Sequence, residues 1–273
     1  MTSRRPTIGV FDSGVGGLTV LRALLDHVPN ADYLYFGDSA RLPYGSKSAA
    51  TVAHYTIGAT RYLQDRGAEL LVIACNTATA LALDEIKASS PVAVVGVIEP
   101  GAAAAAAVTH TQKVVVLGTE ATVGSHAYRR TLESKGIAAR EKACPLFVPL
   151  VEEGWTEHAV TEQVARIYLS EAFSGGSHDA DVLVLGCTHY PLIKPLLRRL
   201  APEHVTIVDS AESTAHVVAE QLQISTEPGA RSNNEGAPSL KFFATDSAEK
   251  FRKMGTRFLG HPVEDVQHVD LKE

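Results

Sequence analysis

Short apolar runs alternate with longer amphipathic stretches along the chain, and this alternation predicts its secondary structure. Several runs are apolar at nearly every position, as are the strands of a parallel sheet that is covered on both faces. Strands are predicted at 8–11, 33–36, 70–74, 93–97, 114–117, 182–185 and 205–208, with one more at 241–244. Helices are predicted at 18–27, 46–66, 78–88, 100–109, 125–135, 157–173, 192–200 and 213–223. The pattern predicts an α/β protein.

The two halves of the chain resemble each other around one strand and the residues that follow it. Residues 71–77 (LVIACNT) parallel residues 183–189 (LVLGCTH), so Cys75 and Cys187 occupy matching positions 112 residues apart (187 − 75). The sequence therefore predicts two pseudo-symmetric α/β halves, each with a mostly parallel sheet flanked by helices.

Composition and charge exclude several classes of protein. The chain has 273 residues and a net charge of −6, which gives no indication of a nucleic-acid-binding surface. No apolar run is long enough to span a membrane, and the run at 8–11 is too short for a signal peptide. The three cysteines, Cys75, Cys144 and Cys187, lack C-x-x-C spacing and argue against a disulfide framework. We expect a cytoplasmic protein, with a surface loop at the polar segment 225–239.

Polar residues follow most of the predicted strands. Ligands of open parallel sheets bind beyond the carboxyl ends of the strands, so these residues are the candidates for chemistry. They are Asp12-Ser13, Asp38-Ser39, Cys75-Asn76-Thr77, Thr119-Glu120, Cys187-Thr188-His189 and Asp209-Ser210.

The cysteine pair is the most informative of these candidates. A lone cysteine is usually a small buried apolar residue, but Cys75 and Cys187 lie at matching strand ends. If each opens a helix, the backbone N–H groups favour the thiolate and lower the thiol pKa from about 8.5. Inversion at Cα requires one group to remove a proton and a second to return one on the opposite face. The pair therefore predicts a two-base amino-acid racemase, with Asp12 and His189 placed to assist the thiols.

Two other kinds of site stay open on these residues. The glycine-rich loop at 12–19 is similar to a phosphate-binding turn, and Asp38 lies 24 residues after Gly14 (38 − 14), near the ribose-binding position of a dinucleotide fold. A nucleotide-dependent oxidoreductase is therefore one alternative, although Thr19 replaces the third glycine of the motif. The glycines could instead let backbone N–H groups approach a substrate carboxylate. A metal site at 187–189 is a weaker alternative, because no closed zinc-binding spacing is present.

Six short motifs occur in order along the chain. They are 9–20 (GVFDSGVGGLTV), 37–45 (GDSARLPYG), 74–78 (ACNTA), Gly118-Thr119 with Thr122, 144–154 (CPLFVPLVEEG) and 186–192 (GCTHYPL). Together they make the chain resemble the glutamate racemases of the aspartate/glutamate racemase superfamily, over most of its length.

The resemblance implies interconversion of L- and D-glutamate by two-base proton transfer, supplying D-glutamate for peptidoglycan, without a cofactor or metal. Aspartate racemase is the nearest alternative, and His189 favours glutamate because aspartate-type relatives tend to carry a glutamate there. The resemblance also implies a homodimer. Some members of the family are reported to inhibit DNA gyrase, and nothing in this acidic chain supports or opposes that activity.

The resemblance also assigns site residues by position. It places the catalytic thiols at Cys75 and Cys187, and the supporting acid/base groups at Asp12, His189 and Glu152. The residues implied to hold the substrate are Asp12, Ser13, Tyr44, Gly45, Asn76, Thr77, Thr119, Thr122, Thr188 and His189. Of these, Thr119 and Thr122 are implied to hold the side-chain end.

The resemblance implies a domain layout as well. Residues 1–97 together with 209–273 form one domain, residues 98–208 form the second, and the active site lies in the cleft between them.

Overall fold

The structure, a computed structural model, describes residues 4–223 and 237–271, so most of the loop expected at 225–239 lies outside the described residues. The strands are β1 (Thr7–Asp12), β2 (Asp32–Gly37), β3 (Leu70–Ile73), β4 (Ala93–Gly96), β5 (Lys113–Gly118), β6 (Ala138–Ala143), β7 (Val182–Gly186), β8 (Thr206–Asp209), β9 (Leu240–Ala244) and β10 (Val266–His268). The α-helices are α1 (Leu18–His27), α2 (Ala49–Gln64), α3 (Asn76–Ser89), α4 (Ile98–Val108), α5 (Glu120–Ser125), α6 (Ala127–Glu133), α7 (Phe147–Glu152), α8 (Ala159–Ala172), α9 (Lys194–Leu200), α10 (Ser210–Gln221) and α11 (Ala248–Leu259). None of these helices is both long and apolar enough to cross a membrane.

The strands form two sheets in which all neighbours are parallel. The first sheet has the order β10-β9-β2-β1-β3-β4, and the second has the order β6-β5-β7-β8. The order β2-β1-β3-β4 recurs as β6-β5-β7-β8, so β1 corresponds to β5 and β3 to β7. The predicted α/β fold with two similar, mostly parallel sheets is confirmed. Strands β9 and β10 extend the first sheet after the chain has completed the second.

The central strands explain why each cysteine lies at the carboxyl edge of its sheet, beside the end of a neighbouring strand. Every residue of β3 and β7 is buried, as their uninterrupted apolar sequences predict. In the first sheet Phe11 pairs with Ile73, and in the second Leu117 pairs with Leu185. Since parallel strands end at the same edge of a sheet, the residues after β1 and β3 lie side by side, as do those after β5 and β7.

Several elements were missed by the sequence analysis, and the two missed strands lie at sheet edges. Strand β6 (AAREKA) is an edge strand that carries Arg140, Glu141 and Lys142. Charged side chains are common on edge strands, where they discourage pairing with another chain. Glu141 is paired with His126 at 2.7 Å. Strand β10 is also at an edge, and helices α5, α7 and α11 were not predicted either.

Most predicted helices have slightly different boundaries, and two of the differences have an identifiable local cause. The helix expected at 46–66 is a 3-10 turn, Tyr44–Ser46, followed by α2, because the Ser48 side chain caps the N–H of Thr51 and starts α2 at Ala49. The helix expected at 125–135 is confined to α6 and is separated from α5 by His126, whose φ of 55° interrupts the helical backbone.

Helices α1, α4 and α10 pack together and join the two sheets. One continuous buried cluster includes Leu18 of α1, Leu185 of β7 and Ala215 of α10. A polar contact reinforces this junction, since the Thr19 hydroxyl donates to the backbone carbonyl of Thr188 at 3.1 Å. The loop after β7 is thereby fixed against the start of α1.

Candidate active site

Cys75 lies between β3 and α3, where it caps the helix. Its Sγ atom accepts the N–H of Ala78 at 3.5 Å. The thiol donates to Oγ of Ser13 at 3.5 Å, and Ser13 follows the neighbouring strand β1. The side chain is only 5% exposed. These contacts hold the sulfur at the carboxyl edge of the first sheet.

The acidity of Cys75 differs from the sequence-based expectation. Burial raises the pKa of the Cys75 thiol, and the negative charge of Asp12 raises it further, to about 12. The N–H of Ala78 and the hydroxyl of Ser13 lower this pKa, but burial outweighs them. The expectation that the site lowers the pKa is therefore wrong for Cys75. Near neutral pH its sulfur is a protonated thiol.

Cys187 occupies the matching position after β7, but no α-helix begins there. A 3-10 turn, Tyr190–Ile193, follows instead, so the expectation that Cys187 opens a helix is wrong. The Sγ atom of Cys187 lies 4.0 Å from Nδ1 of His189. The other ring nitrogen of His189, Nε2, lies 3.0 Å from Oε1 of Glu152, the last residue of α7. A chain of sulfur, imidazole and carboxylate results.

The imidazole of His189, between Cys187 and Glu152, is held in its charged form. Burial lowers the pKa of His189, but the contacts with Cys187 and Glu152 outweigh burial and raise it to about 10. Near neutral pH His189 is therefore a cation beside the sulfur of Cys187. A neighbouring cation stabilises a thiolate, which is the form of cysteine that accepts a proton.

Asp12 ends β1 and lies behind the two thiol sites. Its Oδ2 atom accepts the N–H of Gly14 at 2.9 Å, whereas Oδ1 has no hydrogen-bond partner among the described residues. Burial raises the pKa of Asp12, and the positive charge of His189 lowers it. Asp12 thus interacts electrostatically with His189 on one side and with Cys75 on the other.

Both thiols border one cavity of about 390 Å³. The predicted site residues that line it are Ser13, Tyr44, Gly45, Cys75, Asn76, Thr77, Thr119, Glu152, Cys187, Thr188 and His189. The other two, Asp12 and Thr122, do not line it. The hydroxyl of Thr122 lies 2.9 Å from that of Thr119 and 3.3 Å from that of Thr77, so Thr122 contacts the wall from behind.

Several lining residues were missed by the sequence analysis, and most form an apolar part of the wall. They are Leu42, Pro43, Ser46, Pro145, Val148 and Pro149, while Gly14 and Glu120, which also line the cavity, lie in segments that the sequence analysis named. The apolar members lie within the motifs at 37–45 and 144–154, but no reactive side chain distinguishes them from core residues.

The contacts of Asp38 argue against the nucleotide-binding alternative. Its carboxylate is fully buried, with Oδ2 accepting from the hydroxyl of Tyr44 at 2.6 Å. Its Oδ1 accepts from Arg41 at 3.1 Å and from Thr245 at 2.8 Å. Both oxygens are therefore occupied within the chain. The space beside Gly16 is likewise filled by protein atoms, those of the 188–189 segment, rather than left open for a phosphate.

Within the described part of the chain, no group of three or more His, Cys, Asp or Glu side chains is arranged to hold a metal ion.

Comparison with known proteins identifies the class to which this fold and thiol pair belong. Residues 8–218 match the profile of the family described as Asp/Glu/Hydantoin racemase. The chain belongs to this family.

Similar relatives over nearly the whole chain define a narrower group. The chain is 59% identical to the glutamate racemase of Koribacter versatilis, over 99% of both chains. It is similar to the crystal structure of glutamate racemase isoform RacE1 from Bacillus anthracis, with a TM-score of 0.90 and 35% identity over 98% of this chain and 99% of that one. The glutamate racemase of Francisella tularensis, solved in complex with D-glutamate, gives a TM-score of 0.86 and 34% identity over 98% of both chains.

Aspartate racemases are more distant. The Picrophilus torridus aspartate racemase gives a TM-score of 0.59 and 18% identity, over 81% of this chain and 96% of that one. At this level of identity the comparison shows a shared fold only.

Proposed function

We propose that this chain interconverts L- and D-glutamate by proton transfer at Cα, with Cys75 and Cys187 as the two acid/base groups and without a cofactor or metal. One observation carries the proposal: two buried thiols at equivalent strand ends border a single cavity. The identity to glutamate racemases, up to 59% over nearly the whole chain, supports glutamate as the substrate.

The proposed reaction from L to D has two proton transfers. The thiolate of Cys187 takes the Cα proton, and the electron pair of the broken C–H bond is delocalised toward the α-carboxylate. The thiol of Cys75 then gives its proton to the opposite face of Cα, which leaves Cys75 as thiolate and Cys187 as thiol. The reverse direction exchanges the two roles. The raised pKa of Cys75, about 12, supports the assignment of Cys75 as proton donor from L to D.

The charged neighbours assist each thiol differently in this proposal. His189, with Glu152 behind it, stabilises the thiolate of Cys187 before the proton is removed. Asp12 lies close enough to Cys75 for its negative charge to raise the pKa of that thiol, so it favours the protonated form that gives a proton in the L to D direction.

The polar wall of the cavity supplies groups that suit an amino acid with two carboxylates. We assign these carboxylates and the ammonium group to the following lining residues: Ser13, Tyr44, Gly45, Asn76, Thr77, Thr119 and Thr188. Thr77 and Thr119, whose hydroxyls lie 2.9 Å apart, are supported from behind by Thr122. Hydroxyl and amide donors of this kind bind carboxylate oxygens.

Incubation of each glutamate enantiomer with the protein in deuterated water tests the function. We expect both enantiomers to converge on an equal mixture that carries deuterium at Cα, after treatment with a chelator and without added cofactor. Aspartate should react at least about tenfold more slowly, because one methylene changes the fit of a substrate by roughly that factor or more. Chiral chromatography and proton NMR measure the two outcomes. Absence of both racemisation and exchange, or faster turnover of aspartate, would overturn the proposal.

The pH dependence of kcat/KM tests the role of the His189–Glu152 contact. The pKa of His189 is raised to about 10, so its positive charge persists below that pH and is lost above it. Glu152→Gln removes the carboxylate that helps to raise this pKa. The alkaline fall of kcat/KM, which reports groups of the free enzyme, should then move to lower pH by about 1 unit.

The matched control for this variant is Glu153→Gln, because Glu153 is the adjacent residue and is exposed. Titration of the substrate's own ammonium is common to all three proteins and cancels in the comparison. If kcat/KM fell at the same alkaline pH in Glu152→Gln and in the control, the carboxylate of Glu152 would not act through His189.

The remaining assignments complete the proposal. We place one domain at 1–97 with 209–273 and the other at 98–208, which is supported by the pairing of β9 with β2. The resemblance to bacterial glutamate racemases supports a cytoplasmic location and the supply of D-glutamate for peptidoglycan. A homodimer is supported by exposed apolar side chains clustered in sequence from the start of α7 through α8, among them Leu146, Trp155 and Ile167.

A further inference from the structure

Asn76 lines the cavity next to Cys75 and has one half of its amide unpaired. The side chain is only 3% exposed, and its Oδ1 atom accepts a hydrogen bond at 2.8 Å. Its Nδ2 atom is buried and has no partner among the described residues. A buried donor without an acceptor is unfavourable, so Nδ2 is suited to donate to an anionic group that enters the cavity.

The partner of Oδ1 is Tyr128, which comes from the other half of the molecule. Tyr128 lies on α6, beside the second sheet, and its side chain is fully buried. Its hydroxyl donates to Oδ1 of Asn76, which begins α3 of the first half. This hydrogen bond therefore joins a helix of each half directly at the cavity wall.

The surroundings of Tyr128 determine the direction of this hydrogen bond. Burial raises the pKa of Tyr128, so its hydroxyl keeps its proton. The phenolic proton is donated to Oδ1 of Asn76 at 2.8 Å. The amide is thereby oriented with its oxygen toward Tyr128 and its NH₂ group away from it.

We propose that Tyr128 is a positioning residue: its hydrogen bond to Oδ1 fixes the Asn76 amide so that Nδ2 donates to a carboxylate of the bound amino acid. The inference rests on the proposed function, because that function supplies the carboxylate. Tyr128 does not line the cavity and touches no reacting atom. Under this proposal, substrate binding by Asn76 of the first half depends on the hydroxyl of Tyr128 of the second half.

Tyr128→Phe tests the proposal, because it removes one oxygen and leaves the ring. A carboxylate contact is made in both the ground state and the transition state, so its loss weakens binding without slowing the chemical step. We expect KM for glutamate to rise by about five- to tenfold and kcat to stay within about twofold. Tyr33→Phe is the matched control, since Tyr33 is also buried but donates to the carbonyls of Leu24 and Val28. It should leave KM unchanged.

A double-mutant cycle with Asn76→Ala separates positioning from a general structural role. If Tyr128 acts through Asn76, Tyr128→Phe should not change KM further once the amide is absent. An equal rise of KM in both backgrounds, or no rise with Asn76 present, would overturn the inference. Racemisation by the unaltered protein is measured in the same series. Its absence would show that the proposed function is wrong, independently of the role of Tyr128.

Gly101→Ala provides a second test if Tyr128→Phe does not fold. A Cβ at Gly101 would lie 3.2 Å from the hydroxyl oxygen of Tyr128 and 3.0 Å from Cβ of Ser210, so it displaces the hydroxyl without removing it. We expect a smaller rise of KM that is again absent when Asn76 is replaced by alanine. A rise that persists without the amide would contradict the proposal.

Discussion

Cys75→Ala is expected to slow racemisation strongly but to leave one enantiomer able to exchange its Cα hydrogen with solvent. Cys187 still removes the proton of L-glutamate in this variant and, after its thiol exchanges with solvent, returns deuterium to the same face. Racemisation should fall by about 10²- to 10⁴-fold, the usual contribution of an acid/base group. Deuterium should enter L-glutamate and not D-glutamate, as measured by NMR and chiral chromatography in deuterated water.

Cys187→Ala should give the mirror result, with exchange confined to D-glutamate. Cys144→Ala is the matched control, because Cys144 is fully buried, lies outside the cavity lining and donates from its sulfur to the carbonyl of Lys142. It should racemise at close to the unaltered rate. Exchange in the opposite enantiomer would reverse the assignment of the two thiols, and racemisation that persists in either single variant would exclude a two-thiol mechanism.

Exchange in single variants is informative because the unaltered protein conceals the difference between its two thiols. L- and D-glutamate have equal free energies in water, so the equilibrium constant is one. The ratio of kcat/KM in the two directions must then also be one at every pH. A difference in the acidity of Cys75 and Cys187 therefore cannot appear in that ratio. It becomes visible only when one thiol is removed.

The inequality of the two thiols arises from residues at equivalent places in two similar sheets. The registers of β1 with β3 and of β5 with β7 show that Asp12 of the first half and Gly118 of the second occupy equivalent positions. Only the Cys75 side therefore carries that carboxylate. Thr77 and His189 are equivalent in the same way, since each lies two residues after the cysteine of its half, so only Cys187 has an imidazole at this position. The fold is nearly symmetric, whereas the charges around the thiols are not.

The apolar central strands and the residues that follow them could be predicted from the sequence. Strands β3 and β7 are buried on both faces, and this environment demands uninterrupted apolar residues that are easily recognised. The parallel arrangement then brings Cys75 and Cys187 to sheet edges that face one cavity. Edge strand β6 lacks this signal, because its half-buried charged side chains interrupt the apolar pattern.

The electrostatics of the site could not be predicted in the same way. The helix N-terminus at Cys75 suggested a lowered pKa, but burial and Asp12 raise it to about 12. Those effects depend on how deeply the thiol is enclosed and on which charges lie within a few ångströms. Both follow from contacts between segments far apart in the chain. The pairing of Tyr128 with Asn76 and of Glu152 with His189 depends on tertiary structure for the same reason.

Gly16→Ala is expected to reduce racemisation by about 10²-fold, because the added methyl group displaces His189 from Cys187 and misplacement of about 1 Å has an effect of this size. The new Cβ would overlap Oγ1 of Thr188 and lie 2.5 Å from Nδ1 of His189. The ring cannot easily retreat, since the edge-on ring of Phe258 has its centre 5.1 Å away. Steady-state kinetics well below the thermal midpoint should show the loss mainly in kcat.

The control for this substitution is Gly58→Ala on α2, where an added Cβ meets no atom within 4 Å. Alanine there should leave the kinetics unchanged and raise stability by up to about 1 kcal/mol, since it favours a helix over glycine. At Gly16 the crowding should instead lower the free energy of unfolding by about 1–3 kcal/mol. If Gly16→Ala retained full kcat, the packing of Gly16 against His189 would have no role in activity. If kcat fell while the free energy of unfolding stayed unchanged, the expected crowding would be contradicted and the methyl group would act through the position of His189 alone.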